Sequence, residues 1–139
     1  MGTFPAIWIP GHPRTKGSFT PVKSGPFTKL RPAGKYTQAW CAHAKAVLLE
    51  RWKHEVLEGP VSIDFTFLLP KPRTVIRAKP TGRFDGDVDK LVRAIMDSAT
   101  GVVYLDDSQV TTLGRTRKRW APAPEDCGVW VTFSRDDDE

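Results

Sequence analysis

The chain has 139 residues, 40% of them hydrophobic and 27% charged, with 21 Lys and Arg against 16 Asp and Glu for a net charge of +5. That is one domain's worth of chain with enough apolar residues for a core, which excludes an intrinsically disordered protein and argues against two domains. Four acids close the chain (Asp136, Asp137, Asp138, Glu139); without them 135 residues carry 21 cations against 12 acids, a net +9.

A body that basic favours a polyanion, nucleic acid first, although a Lys/Arg-rich soluble surface gives the same count. The expected division is a single domain over 1–135 and an acidic tail at 136–139. Cys41 and Cys127 form no C-x-x-C pair, so reduced thiols in a cytoplasmic protein are expected. No charged and apolar leader opens the chain, no run reaches the length of a membrane span, and no internal repeat is present.

Thr3 to Pro10 is a short apolar run bracketed by Pro5 and Pro10, the pattern of an edge strand. Gly11 to Gly34 has no periodicity. Together with Lys35 it holds six cations (Arg14, Lys16, Lys23, Lys29, Arg31, Lys35) and no acid. A long irregular loop in a compact domain is functional or mobile, and its charge favours an arm that orders on a phosphate backbone. Thr37 is placed to cap a helix. Trp40, Ala44, Val47, Leu48 and Trp52 then recur at helical spacing, so a helix is predicted from about Gln38 to about Leu57, stopped by Gly59-Pro60. His43 and His54 fall on it without a partner in sequence, and a solvated role is expected for both.

Val61 to Leu69 alternates apolar and polar residues and is the cleanest strand pattern, with Asp64 off the apolar face. Pro70, Pro72 and Pro80 break regular structure, and Lys71, Arg73, Arg77, Lys79 and Arg83 make a second acid-free basic loop. A helix is predicted from Gly86 or Asp87 to about Ser98. Val88, Leu91, Val92, Ile95 and Met96 form its apolar stripe, and Asp89, Lys90, Arg93 and Asp97 its polar face. Val102 to Leu105 is a short apolar piece that leads to Asp106-Asp107. Val110 to Thr116 reads as a strand that runs into a third cluster, Arg115, Arg117, Lys118 and Arg119. Gly128 to Ser134 is a last strand with Val129, Val131 and Phe133 on one face. The order strand, helix, strand, helix, strand, strand predicts an α/β (α+β) domain, a small mixed β-sheet with two helices packed on it.

Asp87 and Asp89 at the mouth of a helix, with the acidic pair Asp106-Asp107 arriving from elsewhere, suit a hard divalent cation. Magnesium takes oxygen ligands, usually a few carboxylates with water. Zinc is not suited, because no His/Cys cluster is present. Such a cation neutralises a phosphodiester, lowers the pKa of water and stabilises the leaving oxygen. The same acids have an ordinary reading. The helix dipole favours carboxylates in the first turn by roughly 0.3–1 kcal/mol each, and Asp89–Arg93 and Arg93–Asp97 are i,i+4 pairs worth about 0.2–0.5 kcal/mol.

The run Gly86 to Asp97, followed by Gly101 to Val110, resembles the RusA family of Holliday-junction resolvases, whose pattern is D-x-D-N-L-x-K-x-x-x-D, a short gap, then D-D-x-Q-V. Ile9 to Gly17 is similar to the family's Gly-x-Pro-x-x-Lys opening, and the resemblance takes in most of the chain. It implies a RusA-like homodimer of phage or prophage type that resolves branched DNA. It also implies Asp87, Asp89 and Asp107 as ligands of Mg2+, with Mn2+ able to substitute. Lys90 stands where the family often has Asn, and Arg93 where it has a functional Lys. Arginine keeps the charge but not the compact ammonium. Arg93 therefore either contacts the scissile phosphate or pairs with Asp89 and Asp97, and Lys90 is a second candidate for the catalytic cation. Asp97 matches a family position in a structural or a catalytic role.

The expected function is a magnesium-dependent, structure-selective endonuclease that makes paired symmetric nicks in a four-way junction. Arg14, Lys16, Lys71, Arg73, Arg77, Lys79, Arg83, Arg115, Arg117, Lys118 and Arg119 would contact DNA. Trp120, Phe19 and Phe27 are aromatic candidates for stacking on unpaired bases, with packing the expected role of Trp120. A non-catalytic basic DNA-binding protein is the alternative, and a metal-dependent enzyme on nucleotides the third reading.

Overall fold

In the computed structural model the described residues are 3–17, 20–24, 27–31 and 34–137, the two short segments through their backbone. Among the described residues six strands and two α-helices are formed: β1 (Ile7–Pro10), β2 (Thr20–Ser24), β3 (Phe27–Arg31), α1 (Lys35–Arg51), β4 (Val61–Leu69), α2 (Val88–Ala99), β5 (Val110–Trp120) and β6 (Gly128–Arg135). The main sheet has the order β1-β6-β4-β5. β6 is antiparallel to both β1 and β4, and β4 is parallel to β5. A parallel pair needs a crossover, and α2 supplies it. This is the small mixed α+β domain expected from the pattern.

The core follows from periodicity. Val61, Ile63, Phe65, Phe67 and Leu69 alternate onto the covered face of β4, and Val129, Val131 and Phe133 do the same on β6. Leu91, Val92, Ala94, Ile95 and Ala99 meet them from α2, and Trp40, Ala44, Val47 and Leu48 from α1. Each large side chain buried in this way is worth roughly 1.5–3 kcal/mol. Tyr104 is fully buried among them, and its hydroxyl donates to Met96 O at 2.7 Å.

Four boundaries differ from the sequence reading. The acid-free segment 11–34 is not wholly irregular, because β2 and β3 pair as an antiparallel hairpin. α1 runs from Lys35 to Arg51 rather than 38–57, with Gly34 at its N-cap. Thr37 does not cap it; its hydroxyl donates to Thr15 O at 2.9 Å and ties the preceding segment to the helix. Beyond Trp52 the chain is irregular and no longer helical, and Leu57 N bonds to Val103 O and not to a helical carbonyl. β5 extends to Trp120, four residues past the expected end, since its basic half pairs with Thr66–Leu69 of β4.

His43 and His54 are exposed, as expected, and each also makes contacts with the fold. His43 Nε2 donates to Pro10 O at 2.6 Å, and His54 packs on Phe4 and Trp52. Asp64 Oδ1 accepts the Arg115 N–H at 3.0 Å, within an irregularity of the β4–β5 ladder. Asp136 joins the same end of the sheet: Thr111 and Thr112 donate to its carboxylate at 2.6 and 2.7 Å. Among the described residues no helix is long and apolar enough to cross a membrane.

Candidate active site

α2 begins after Gly86, whose φ of +105° is open to glycine and strained for other residues. The Gly86 carbonyl accepts from Lys118 Nζ at 2.7 Å, so a lysine of the third basic cluster pins the mouth of the helix to β5. Asp87 follows as the N-cap residue, without a capping bond from its side chain. Its carboxylate faces Lys90 Nζ at 3.3 Å.

On the other side of the helix, α2 and β5 enclose a cleft of about 420 Å³. Val88, Val92, Met96 and Leu113 make its apolar wall, and Asp89, Arg93 and Asp107 are its charged members. Two of the three expected metal ligands thus border one space, and Arg93 borders it with them. Asp87 is not among the residues lining the cleft. Among the described residues no three acids, histidines or cysteines converge closely enough to make a preformed metal cage.

The paired acids 106 and 107 have separate roles. Asp106 caps a single 3-10 turn, Asp107–Gln109. Its Oδ1 accepts from Ser108 N at 2.9 Å, while Gln109 Oε1 accepts from the backbone N–H groups of Leu105 and Asp106. Gln109 Nε2 donates onward to Leu57 O and Gly59 O. The D-D-x-Q-V run is therefore a capping box, with Asp107 at the border of the cleft. The Ser108 hydrogen bonds hold the Asp106 carboxyl below its ordinary range. Asp107 is pushed the other way, first by desolvation and then by the carboxylates of Asp106 and Asp97.

Asp97 brings in a residue from the far end of the chain. Lys16 Nζ lies 2.9 Å from Asp97 Oδ2, and Lys16 N donates to Lys90 O at 3.0 Å. The N-terminal segment is thereby laid along the polar face of α2. Buried Tyr104 lies near the same acids. Burial first, then Asp107 and Asp97, push its phenol far above the ordinary range, so it is a neutral donor.

The structure separates the expected DNA contacts into two groups. Lys71, Arg73, Lys79, Arg83 and Arg115 are exposed. Arg14 lies over the Tyr36 ring at 5.1 Å, Arg117 donates to Thr66, Arg119 to Lys118 O, and Lys118 and Lys16 are engaged as described. Arg77 is committed to Asp85 by three hydrogen bonds of 2.8–3.1 Å. Trp120 packs against the core, and its Nε1 donates to Arg77 O at 3.0 Å. Phe19 and the side chain of Phe27 lie outside the described residues, as do the side chains of Lys23, Lys29 and Arg31. Sequence reading missed the contacts of Lys16 and Lys118, since only the three-dimensional fold brings positions 16 and 97, or 86 and 118, together.

Residues 10–126 match the family described as Endodeoxyribonuclease RusA. The chain is also similar to uncharacterized protein YqaN of Bacillus subtilis (strain 168), at 29% identity over 113 residues that cover 72% of this chain and 74% of that one.

Proposed function

The chain belongs to the RusA endodeoxyribonuclease family, and on that premise we propose that it resolves Holliday junctions and other branched DNA by paired symmetric nicks that depend on magnesium. The observation that carries this reading is the cleft where Asp89 and Arg93 of α2 meet Asp107 before β5.

Its donors are all carboxylate oxygens, and crowding with Asp97 and Asp106 leaves Asp107 in excess negative potential. A hard divalent cation suits that set, and Mn2+ can replace Mg2+. Asp89 and Asp107 would hold it, with Asp87 as the third ligand. Bound there, the cation would neutralise the phosphodiester and stabilise the departing oxygen. Arg93 offers a planar fork of donors to two phosphate oxygens. Lys90, now on Asp87 at 3.3 Å, is the second cation beside the scissile group.

The exposed cations at 71–83 and 115, with Arg14 and Lys16, track the backbone and carry little sequence information. Two symmetric cuts need two sites, which a two-fold homodimer supplies. The domain spans 1–135, with 136–139 as an acidic tail whose first residue, Asp136, is held by Thr111 and Thr112, in a cytoplasmic protein of phage or prophage type.

A labelled immobile four-way junction tests the reading. Wild type with Mg2+ is expected to leave paired nicks with 5′-phosphate and 3′-hydroxyl ends. EDTA or Asp89→Asn should remove cleavage by on the order of 10³-fold, as expected for several kcal/mol of lost charge stabilisation, with binding retained. Full activity in Asp89→Asn would overturn it. One observation favours the alternative, a non-catalytic DNA-binding protein: no three metal donors converge among the described residues. That protein would bind the junction equally well with or without metal and leave it intact.

A further inference from the structure

The basic loop between β4 and α2 carries two large apolar side chains in nearly full contact with water, Ile76 at 96% and Phe84 at 93% exposure. Each is the chain neighbour of one member of an ion pair. Arg77 grips both oxygens of Asp85, whose side chain keeps only 9% of its exposure. Gly82 N donates to the same carboxylate at 2.6 Å, and a Cβ on Gly82 would collide with the Arg77 guanidinium and with Asp85. Arg77 is held in turn by Trp120, through the indole N–H to its carbonyl and the ring 5.7 Å from its guanidinium. The loop is thus closed on itself and anchored to β5, and the two exposed side chains project from a braced base.

We propose that Phe84, with Ile76 in the same loop, is an apolar wedge that takes up an unstacked nucleobase at a branch point of DNA. This deepens the nuclease reading by assigning the feature that tells branched DNA from plain duplex. These two are the most exposed of the large apolar side chains among the described residues, and covering them on a partner is favourable. The surroundings select the partner. Lys71, Arg73, Lys79 and Arg83 are exposed around the loop, and of its two acids Asp85 is neutralised by Arg77 and Asp87 faces Lys90. Two copies of so cationic a loop would repel each other, whereas a polyanion is complementary. Aromatic rings stack on any base, and Phe and Ile both serve as wedges between base steps. The Arg83 guanidinium, 5.7 Å from the Phe84 ring, is available to the phosphate of a base held there. Phe84 precedes Asp87, the N-cap residue of α2, by three residues, so a base captured on it would bring its strand to the mouth of that helix.

The test compares the full chain with Phe84→Ala and Phe84→Trp, by affinity for an immobile four-way junction and for duplex of the same sequences, in EDTA so that cleavage plays no part. Wild type should prefer the junction. Phe84→Ala should weaken junction binding roughly tenfold, within the range measured for base stacking, and leave duplex binding unchanged; Phe84→Trp should restore the preference. Phe84 is too exposed for its truncation to damage the core, so a lost preference is not a folding effect. Junction affinity equal to wild type in Phe84→Ala would overturn the proposal, and so would a wild type without junction preference. Equal losses on both DNAs with a shift in sedimentation would place a second copy of the chain on this surface instead. A junction-selective protein that cuts nothing with Mg2+ would leave the wedge standing and sink the nuclease reading.

Discussion

Lys16 and Asp97 form an ion pair of 2.9 Å across 81 positions of sequence, and the pair sets an ammonium beside the acids of the cleft. Asp97 also crowds Asp107, so Lys16 partly offsets the negative charge that a metal would otherwise meet. Lys16→Gln should therefore raise the affinity for Mg2+ modestly while lowering cleavage, if Lys16 also reaches the scissile phosphate. Titrating cleavage against Mg2+ separates the two effects, and Lys16→Arg should restore phosphate contact. Unchanged cleavage at every Mg2+ concentration would make the pair a tether only.

Asp106 and Asp107 are neighbours with opposite expected phenotypes. Asp106→Ala removes the cap of the 3-10 turn and should lower the melting temperature with activity retained at permissive temperature. Asp106→Asn keeps an oxygen for Ser108 N and should be milder. Asp107→Asn should leave the melting temperature close to wild type and abolish cleavage. The folded state depresses the Asp106 pKa, so its stabilisation is present above the unfolded value and lost as pH falls below about 4. In Asp106→Asn the acid limb of a stability–pH profile should flatten.

Tyr104 is neutral and buried, with its hydroxyl on Met96 O at 2.7 Å. Tyr104→Phe leaves that carbonyl with the Thr100 hydroxyl, 3.1 Å away, as its remaining side-chain donor and should cost about 0.5–1.5 kcal/mol in urea unfolding. The folded state raises the phenol's pKa. The unfolded chain therefore loses its proton first, and stability falls as pH rises above about 10. Tyr104→Phe should remove this alkaline loss.

The cations of the second basic loop are not equivalent. Arg73→Ala should reduce the salt dependence of junction binding, lowering the slope of log K against log salt by about 0.9 on duplex arms. Arg77→Ala should leave that slope near wild type and instead loosen the loop, read as faster proteolysis between residues 71 and 85. Equal slope changes for both would mean that the Arg77–Asp85 pair opens on DNA.

Much of the architecture was legible in local patterns. Val61–Leu69 has a strict period of two, and the Val88–Met96 stripe a clear helical one. Both survive because each buries a whole face, and a register error would expose it. α1 was misjudged at both ends because Thr37 has the chemistry of a cap yet spends its hydroxyl on Thr15, and because Leu57 is buried from an irregular segment. The hairpin at 20–31 escaped notice because its strands lack alternation.

The sequence by itself determined four of the strands and both helices, the basic and acid-free loops, and the acids and cations from which a phosphodiester site could be built, since period and composition are properties of near neighbours. Only the tertiary structure decided which of those charges are spent. Packing sets Arg77 on Asp85, Lys118 on Gly86 O and Lys16 on Asp97, and turns Asp106 into a cap while Asp107 borders the cleft with Asp89 and Arg93. A charge's role depends on the partner within a few ångströms, and those partners lie 8 to 81 positions away except for Asp106, whose cap is local.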